Sequence, residues 1–236
     1  MSKQSSHFRW FIVALLFIIS MLNYIDRAAM GYAITFIAQE FHFSDKAVGF
    51  ILGAFGIGYM LSTFLGGVAA DHFGAKKTLS LSTILWSFTI FFVGIANSYS
   101  MFLIARVFFG LAEGPNFPCA TRAISDWLPE QERARAFTFS LIAVPLSLAV
   151  GGLIISYVIH HVGWRHCFFY LSAITLLWVP FWLKYFHNQP QNSPYVQKQE
   201  LDIIQQQSVI KTQINNEKSP WKELLTNKTL MSCLLY

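Results

Sequence analysis

Charge is what this sequence has least of. Only 12% of its 236 residues are Asp, Glu, Lys or Arg, against roughly 25% in soluble domains. The few present are bunched, so that residues 47–70, 78–105, 136–164 and 166–183 carry none. Such windows exclude an ordinary soluble domain, because each longer one can hold the ~20 apolar residues of a membrane-crossing helix plus a turn. Cysteine is also scarce. Cys119, Cys167 and Cys233 stand alone in or beside apolar stretches, without CxxC or metal-ligand spacing, which excludes a disulfide framework and a zinc site. There is no nucleotide loop, no HExxH and no nucleophile–base arrangement, so no enzyme, cofactor or metal is expected. His160, His161 and His166 read as interfacial residues rather than ligands. The net charge of +5 lies mostly in loops and the tail, where a membrane protein keeps its cytoplasmic Lys and Arg, and does not imply nucleic acid.

What is present is apolar: 54% of the chain, with 23 Phe. The pattern predicts an all-α membrane protein, a bundle of six transmembrane helices near 10–38, 47–70, 78–96, 100–123, 136–160 and 167–186. The separators are "QEFHFSDK", "DHFGAKK", "NSYS", "DWLPEQERAR" and "HHVGWRH". The start, "MSKQSSHFRWFIVALLF", imitates a signal peptide, but no small-x-small cleavage site follows, and a retained first helix is expected. Lys3, Arg9, Lys76, Lys77, Arg122, Arg133 and Arg135 fall on one side of the spans and only Lys46 and Arg165 on the other. That bias places the N-terminus and the tail in the cytoplasm.

In the second helix Ala54, Gly58, Ser62, Gly66 and Ala70 recur every fourth residue, a stripe that lets helix backbones approach in lipid. Residues 1–186 thus read as the transmembrane bundle and 187–223 as a polar, Gln-rich cytoplasmic linker with an amphipathic helix around 197–210. Residues 224–236 read as the start of a seventh helix, cut short. The sequon Asn227-Lys228-Thr229 falls on the cytoplasmic side and is discounted.

Two acids and two arginines interrupt the spans: Asp26 and Arg27 in "NYIDR", Arg106 and Glu113 in "RVFFGLAEGPNFP". A charged residue at a helix centre costs about 2.5–3.5 kcal/mol on insertion scales. Arg106 and Glu113 are two turns apart, with Gly110 between them and Phe117 beyond. If the first and fourth helices meet, the four charges cancel. One reading is a structural ion-pair cluster locking the two helices. The other is a solute site, in which the planar guanidinium grips a carboxylate or phosphate and the acid beside it takes up a proton. Asn23, Tyr24, Tyr59 and Asn116 would suit a sugar-like ligand, although Tyr59 alone also reads as a packing aromatic.

The turn after helix 2, "GGVAADHFGAKKTL", resembles the loop signature of the major facilitator superfamily, with Gly67, Asp71, Gly74, Lys76 and Lys77 at its positions. "NYIDR", "RVFFGLAEGPNFP", "WLPEQERARAF", "GWRHCFF" and "QPQNSPYVQKQE" are similar to its anion:cation symporter branch. The resemblance implies the N-terminal half of a two-half fold, itself a 3+3 inverted repeat, with substrate held at the midplane between the halves. It further implies that Arg27 and Arg106 hold an organic anion such as a sugar acid and that Asp26 and Glu113 couple transport to protons. Tyr24, Tyr59 and Asn116 would line the site, and Asp71 with the basic pair would form a gating clasp. His72 and Ala75 depart from the signature, where basic residues are usual.

The expected function is proton-coupled symport of an organic anion across the inner membrane, with lipid, the anion and protons as partners. Two alternatives stand beside it. One is a non-transporting remnant or interaction subunit that needs a C-terminal half or a second copy. The other is a phosphate or organophosphate antiporter, against which the acid in "NYIDR" speaks.

Overall fold

A computed structural model describes residues 7–205. The elements are α1 (Phe8–Phe41), α2 (Asp45–Phe73), α3 (Ala75–Ile95), α4 (Tyr99–Glu113), α5 (Asn116–Trp127), α6 (Glu130–Val162), α7 (Trp164–Tyr185), a 3-10 turn (Pro190–Asn192) and α8 (Lys198–Gln205). Five of them, α1, α2, α3, α6 and α7, are individually long and apolar enough to cross a membrane. The fourth expected span is broken in two. Gly114 and Pro115 both keep right-handed helical dihedrals, so α4 and α5 follow one another as one kinked segment.

Proline causes that break, because it lacks the N–H that would continue the helical ladder. In lipid a carbonyl freed at the kink needs a donor from elsewhere, and Ser82 of α3 donates to that of Ala112 at 2.5 Å. Ser62 of α2 adds a second bond, at 3.0 Å, to the Gly110 carbonyl, which already accepts the Gly114 N–H. Serine and tryptophan also join other helices. Ser147 of α6 donates to Met21 of α1, Ser172 of α7 to Ser87 of α3, and Trp178 of α7 to Leu15 of α1.

The small-residue stripe of α2 is its buried face: Ala54, Gly58, Ser62, Gly66 and Ala70 are all buried. A Cβ on Gly58 would collide with the Val107 carbonyl, and one on Gly66 would lie 2.5 Å from Pro115. Gly110 presses equally closely on the Phe55 carbonyl from the other side. The closest packing is α2 on α4, α1 on α6 and α3 on α7. Exchanging the first three spans for the last three maps the first of these pairs onto the second and the third onto itself, as a 3+3 repeat requires.

Several helices run further than the charge pattern suggests. The stretch "EQERAR" is the opening of α6, since Pro129 precedes it and Glu130 and Glu132 stand in the first turn, where acids favour the helix dipole. After α7 the chain folds back onto the start of α1. Glu200 of α8 is 1% exposed and accepts the backbone N–H groups of Phe8 and Arg9, while Arg9 bridges Glu132 and Glu200. Tyr195 stacks on Phe8. Lys3, the outer part of the 197–210 helix, the sequon, Cys233 and the seventh helix lie outside the described residues.

Candidate functional site

The four intramembrane charges lie within electrostatic reach of one another, but only Arg27 and Glu113 are in contact. Arg27 Nε donates to Glu113 Oε2 at 2.8 Å, and the Glu113 side chain is fully buried while that of Arg27 is 24% exposed. Glu113 is the last residue of α4, so the kink sets its position. Aromatic rings hold the Arg27 guanidinium: Tyr59 at 4.3 Å, Phe55 at 4.8 Å and Tyr24 at 5.1 Å from ring centre to Cζ. Such faces attract cations, more strongly where water is excluded.

Arg106 approaches the same Phe55 ring at 4.9 Å, and that of Phe109 at 5.5 Å. It is buried, and its Nε has no hydrogen-bond partner. The expected ion-pair cluster between the first and fourth helices is narrower in the structure, since Arg106 takes no part in the Arg27–Glu113 contact. Seven residues along a helix is about 10 Å, and sharing a face at that distance is not contact. Arg106 makes no ion pair among the described residues.

Asp26 needs a second correction. Its Oδ2 accepts from Trp86 of α3 and Thr175 of α7, each at 3.1 Å, and it makes no ion pair among the described residues. Successive helical residues point about 100° apart, so Asp26 turns toward α3 and α7 while Arg27 turns toward α2 and α4. Its other oxygen, Oδ1, is buried without a partner.

Beside the Arg27–Glu113 pair lies a cleft between α1, α2, α5 and α6. Asn23, Tyr24, Tyr59, Asn116 and Phe117 line it, with Ser20 and Ser140. Phe117 is exposed rather than part of the buried face of the fourth span.

The third correction concerns the turn between α2 and α3. Asp71 Oδ1 accepts from Arg122 Nη1 at 2.7 Å, and Arg122 Nε donates to Asp126 at 2.8 Å. Asp71, Arg122 and Asp126 thus form a chain of ion pairs from α2 to α5, and among the described residues neither Lys76 nor Lys77 makes an ion pair with Asp71. Gly74 sits at φ +83°, where the Asn188 side chain fills the space a Cβ would need. The Asn188 Oδ1 accepts the Lys76 backbone N–H at 2.9 Å. Gly67 lies beside Pro118 of α5.

The Major Facilitator Superfamily profile matches residues 16–236. The chain belongs to that superfamily. It is 31% identical over 221 residues to the hexuronate transporter of Bacillus subtilis, covering 93% of this chain and 50% of the relative. It is 30% identical over 229 residues to the chloroplastic ascorbate transporter of Arabidopsis thaliana, covering 96% of this chain and 42% of that protein. Among solved structures, an inward-facing, unoccupied bacterial homolog of the human lysosomal transporter Spinster superposes with a TM-score of 0.71 at 22% identity. That match covers 84% of this chain and 47% of the other. The chain spans about half the length of the curated relatives it matches, which carry sugar acids and other anions. As a superfamily member it is a multi-pass membrane protein.

Within this superfamily chain, sequence reasoning missed Phe55, Trp86, Arg122, Asp126, Ser140, Thr175 and Glu200. A 100° helical step would have separated Asp26 from Arg27, and the Gly-Pro in "EGPNFP" marks the kink. The i,i+4 spacing of Arg122 and Asp126 is a local signal, whereas Asp71, the other partner of Arg122, and the partners of Glu200 are distant in sequence.

Proposed function

We propose that the chain supplies the anion-binding and proton-coupling half of a secondary active transporter for organic anions, sugar acids among them. It would lie in the inner membrane with its N-terminus and tail in the cytoplasm and residues 187–223 linking it to a second half. The observation that carries this reading is Arg106, a buried guanidinium with no carboxylate partner that shares the Phe55 ring with Arg27. Glu113 acts on Arg106 only through space and is bonded to Arg27. A buried cation without a carboxylate in contact is costly, and a substrate carboxylate would supply one. Arg27 is tied to Glu113 and becomes free when a proton neutralises that acid. Protonation thereby turns two arginines toward one anion. Asp26, held between α3 and α7, is the second proton acceptor. Tyr24, Tyr59 and Asn116 border the substrate, and the Asp71–Arg122–Asp126 clasp opens and closes as the halves rock.

Reconstituted vesicles test this with a hexuronate and an inward proton gradient. Glu113→Gln should abolish gradient-driven accumulation while preserving exchange of bound anion. Accumulation retained by Glu113→Gln defeats the proton role, and uptake driven only by counter-transported phosphate favours an antiporter. Because the chain spans about half of its relatives, a second reading is that it works only with a C-terminal half or a second copy. Uptake appearing only on co-reconstitution with such a half, together with co-purification, would support it.

A further inference from the structure

The exposed face of α4 carries a ridge with a groove on either side. Ile104 and Phe108, one turn apart, are 52% and 56% exposed and border both grooves. On the α2 side Gly49, Gly53 and Ile57 face Leu103 and Val107 across about 590 Å³. On the α3 side Leu85, Phe88 and Phe92 face Ala105 and Ala112 across about 600 Å³. Glycine opens the first groove, since a Cβ on Gly49 or Gly53 would meet nothing. Neither groove includes Arg106 or Glu113, so both lie apart from the charged site.

Shape, length and charge identify an occupant. From Leu103 to Ala112 the helix advances about 14 Å, within the ~15 Å of hydrocarbon in one leaflet. A helix is about 10–12 Å wide with its side chains, so one from another protein would rest on Ile104 and Phe108 and leave both grooves empty. Unfilled space forfeits dispersion contacts. Two slender acyl chains, one in each groove, fill both. Two exposed charges, Asp45 and Lys46, stand at the mouth in the first turn of α2. Lys46 shares a helix face with Gly49, Phe50 and Gly53, three, four and seven residues on, so it stands above the α2 groove. Neither charge makes an ion pair among the described residues, whereas Arg165 at the same end is tied to Glu40. A phosphate would answer Lys46 and an ammonium Asp45.

We propose that a zwitterionic two-chain phospholipid straddles α4, with one acyl chain in each groove and its head group on Asp45 and Lys46. The bound lipid fills the outer surface of the α2–α4 and α3–α4 contacts and is a structural partner of the bundle.

Native mass spectrometry of the purified chain in detergent tests this by reading which added lipid is retained. Dioleoyl-phosphatidylethanolamine should bind as one copy, about tenfold or more tighter than its one-chain lyso form. Gly53→Trp and Thr89→Trp each fill one groove and should bring the two-chain lipid down toward the lyso form. Gly56→Trp, at a position equally open but outside both grooves, should leave retention unchanged. Lys46→Ala should weaken the phospholipid and not dioleoylglycerol, which has both chains and no phosphate. Asp45→Asn should erase the advantage over dioleoyl-phosphatidylglycerol, which lacks the ammonium. Equal retention of the two-chain and lyso lipids by wild type overturns the proposal, as does equal loss in Gly56→Trp and Gly53→Trp. A dimer of the chain that retains no lipid and that Gly53→Trp disrupts assigns this face to a second copy and also overturns it.

Discussion

Arg27 of α1 and Glu113 of α4 meet 2.8 Å apart across the bundle, and the carboxylate of the pair is fully buried. Removing one member of a buried pair leaves the other charge uncompensated, at about 3–5 kcal/mol, whereas replacing both with apolar residues is often neutral. Glu113→Leu should therefore lower the thermal midpoint strongly, and Arg27→Leu/Glu113→Leu should recover much of the loss. Strictly additive effects in thermal unfolding would show that the two side chains do not depend on each other.

The contact between α2 and α4 depends on missing side chains. Gly58 and Gly110 lie against backbone of the facing helix, with no flexible side chain to give way. Gly58→Val should force the helices apart and destabilise the bundle by at least the ~1–3 kcal/mol of ordinary overpacking. Gly53, whose Cβ would meet nothing, should accept Val with little change. Comparing the thermal midpoints of these two variants in detergent checks the claim.

This pair of glycines also shows what a sequence can carry. The stripe on α2 was legible because burial in a helix repeats at a fixed period, so the buried face can be read from spacing alone. The six spans were legible for a similar reason, since lipid demands long uncharged windows. The site was legible as a set of residues and not as an arrangement. Asp26 and Arg27 are neighbours in the chain and diverge in space. Asp71 finds Arg122, 51 positions away, in preference to the nearby lysines, because the end of α2 abuts α5. Such partners follow from how helices pack, which no local pattern records.

The Asp71–Arg122–Asp126 clasp is exposed, and exposed pairs contribute about 0–1 kcal/mol. Asp71→Ala should leave the thermal midpoint nearly unchanged, and any effect on transport should arise from altered gating. A large fall in stability without a change in transport would assign the clasp to folding instead.

Glu200 holds α8 to the bundle by accepting two backbone N–H groups at the start of α1 and pairing with Arg9. A hydrogen bond to a charged group contributes about 1.5–3 kcal/mol, so Glu200→Ala should release the segment after α7. Limited proteolysis should then cut between 188 and 205 sooner than in wild type, while the transmembrane core persists. Unchanged cleavage kinetics would mean that the aromatic contacts of Tyr195 with Phe8 and Tyr185 suffice to hold it.

Asp26 gives the sharpest contrast with its neighbour. Its bonds come from neutral donors, the Trp86 indole and the Thr175 hydroxyl, so the contact needs an acceptor and not a negative charge. Asp26→Asn keeps an acceptor oxygen and should fold with a thermal midpoint close to wild type. Asp26→Leu removes it and strands two buried donors, each costing about 1–3 kcal/mol, so it should fall well below Asp26→Asn. A double-mutant cycle between Asp26 and Thr175 should show coupling, and one between Asp26 and Arg106 should show almost none, because the two side chains face different helices. Strong coupling to Arg106 would restore the four-charge cluster that the structure separates into one ion pair, one aromatic-held arginine and one hydrogen-bonded acid.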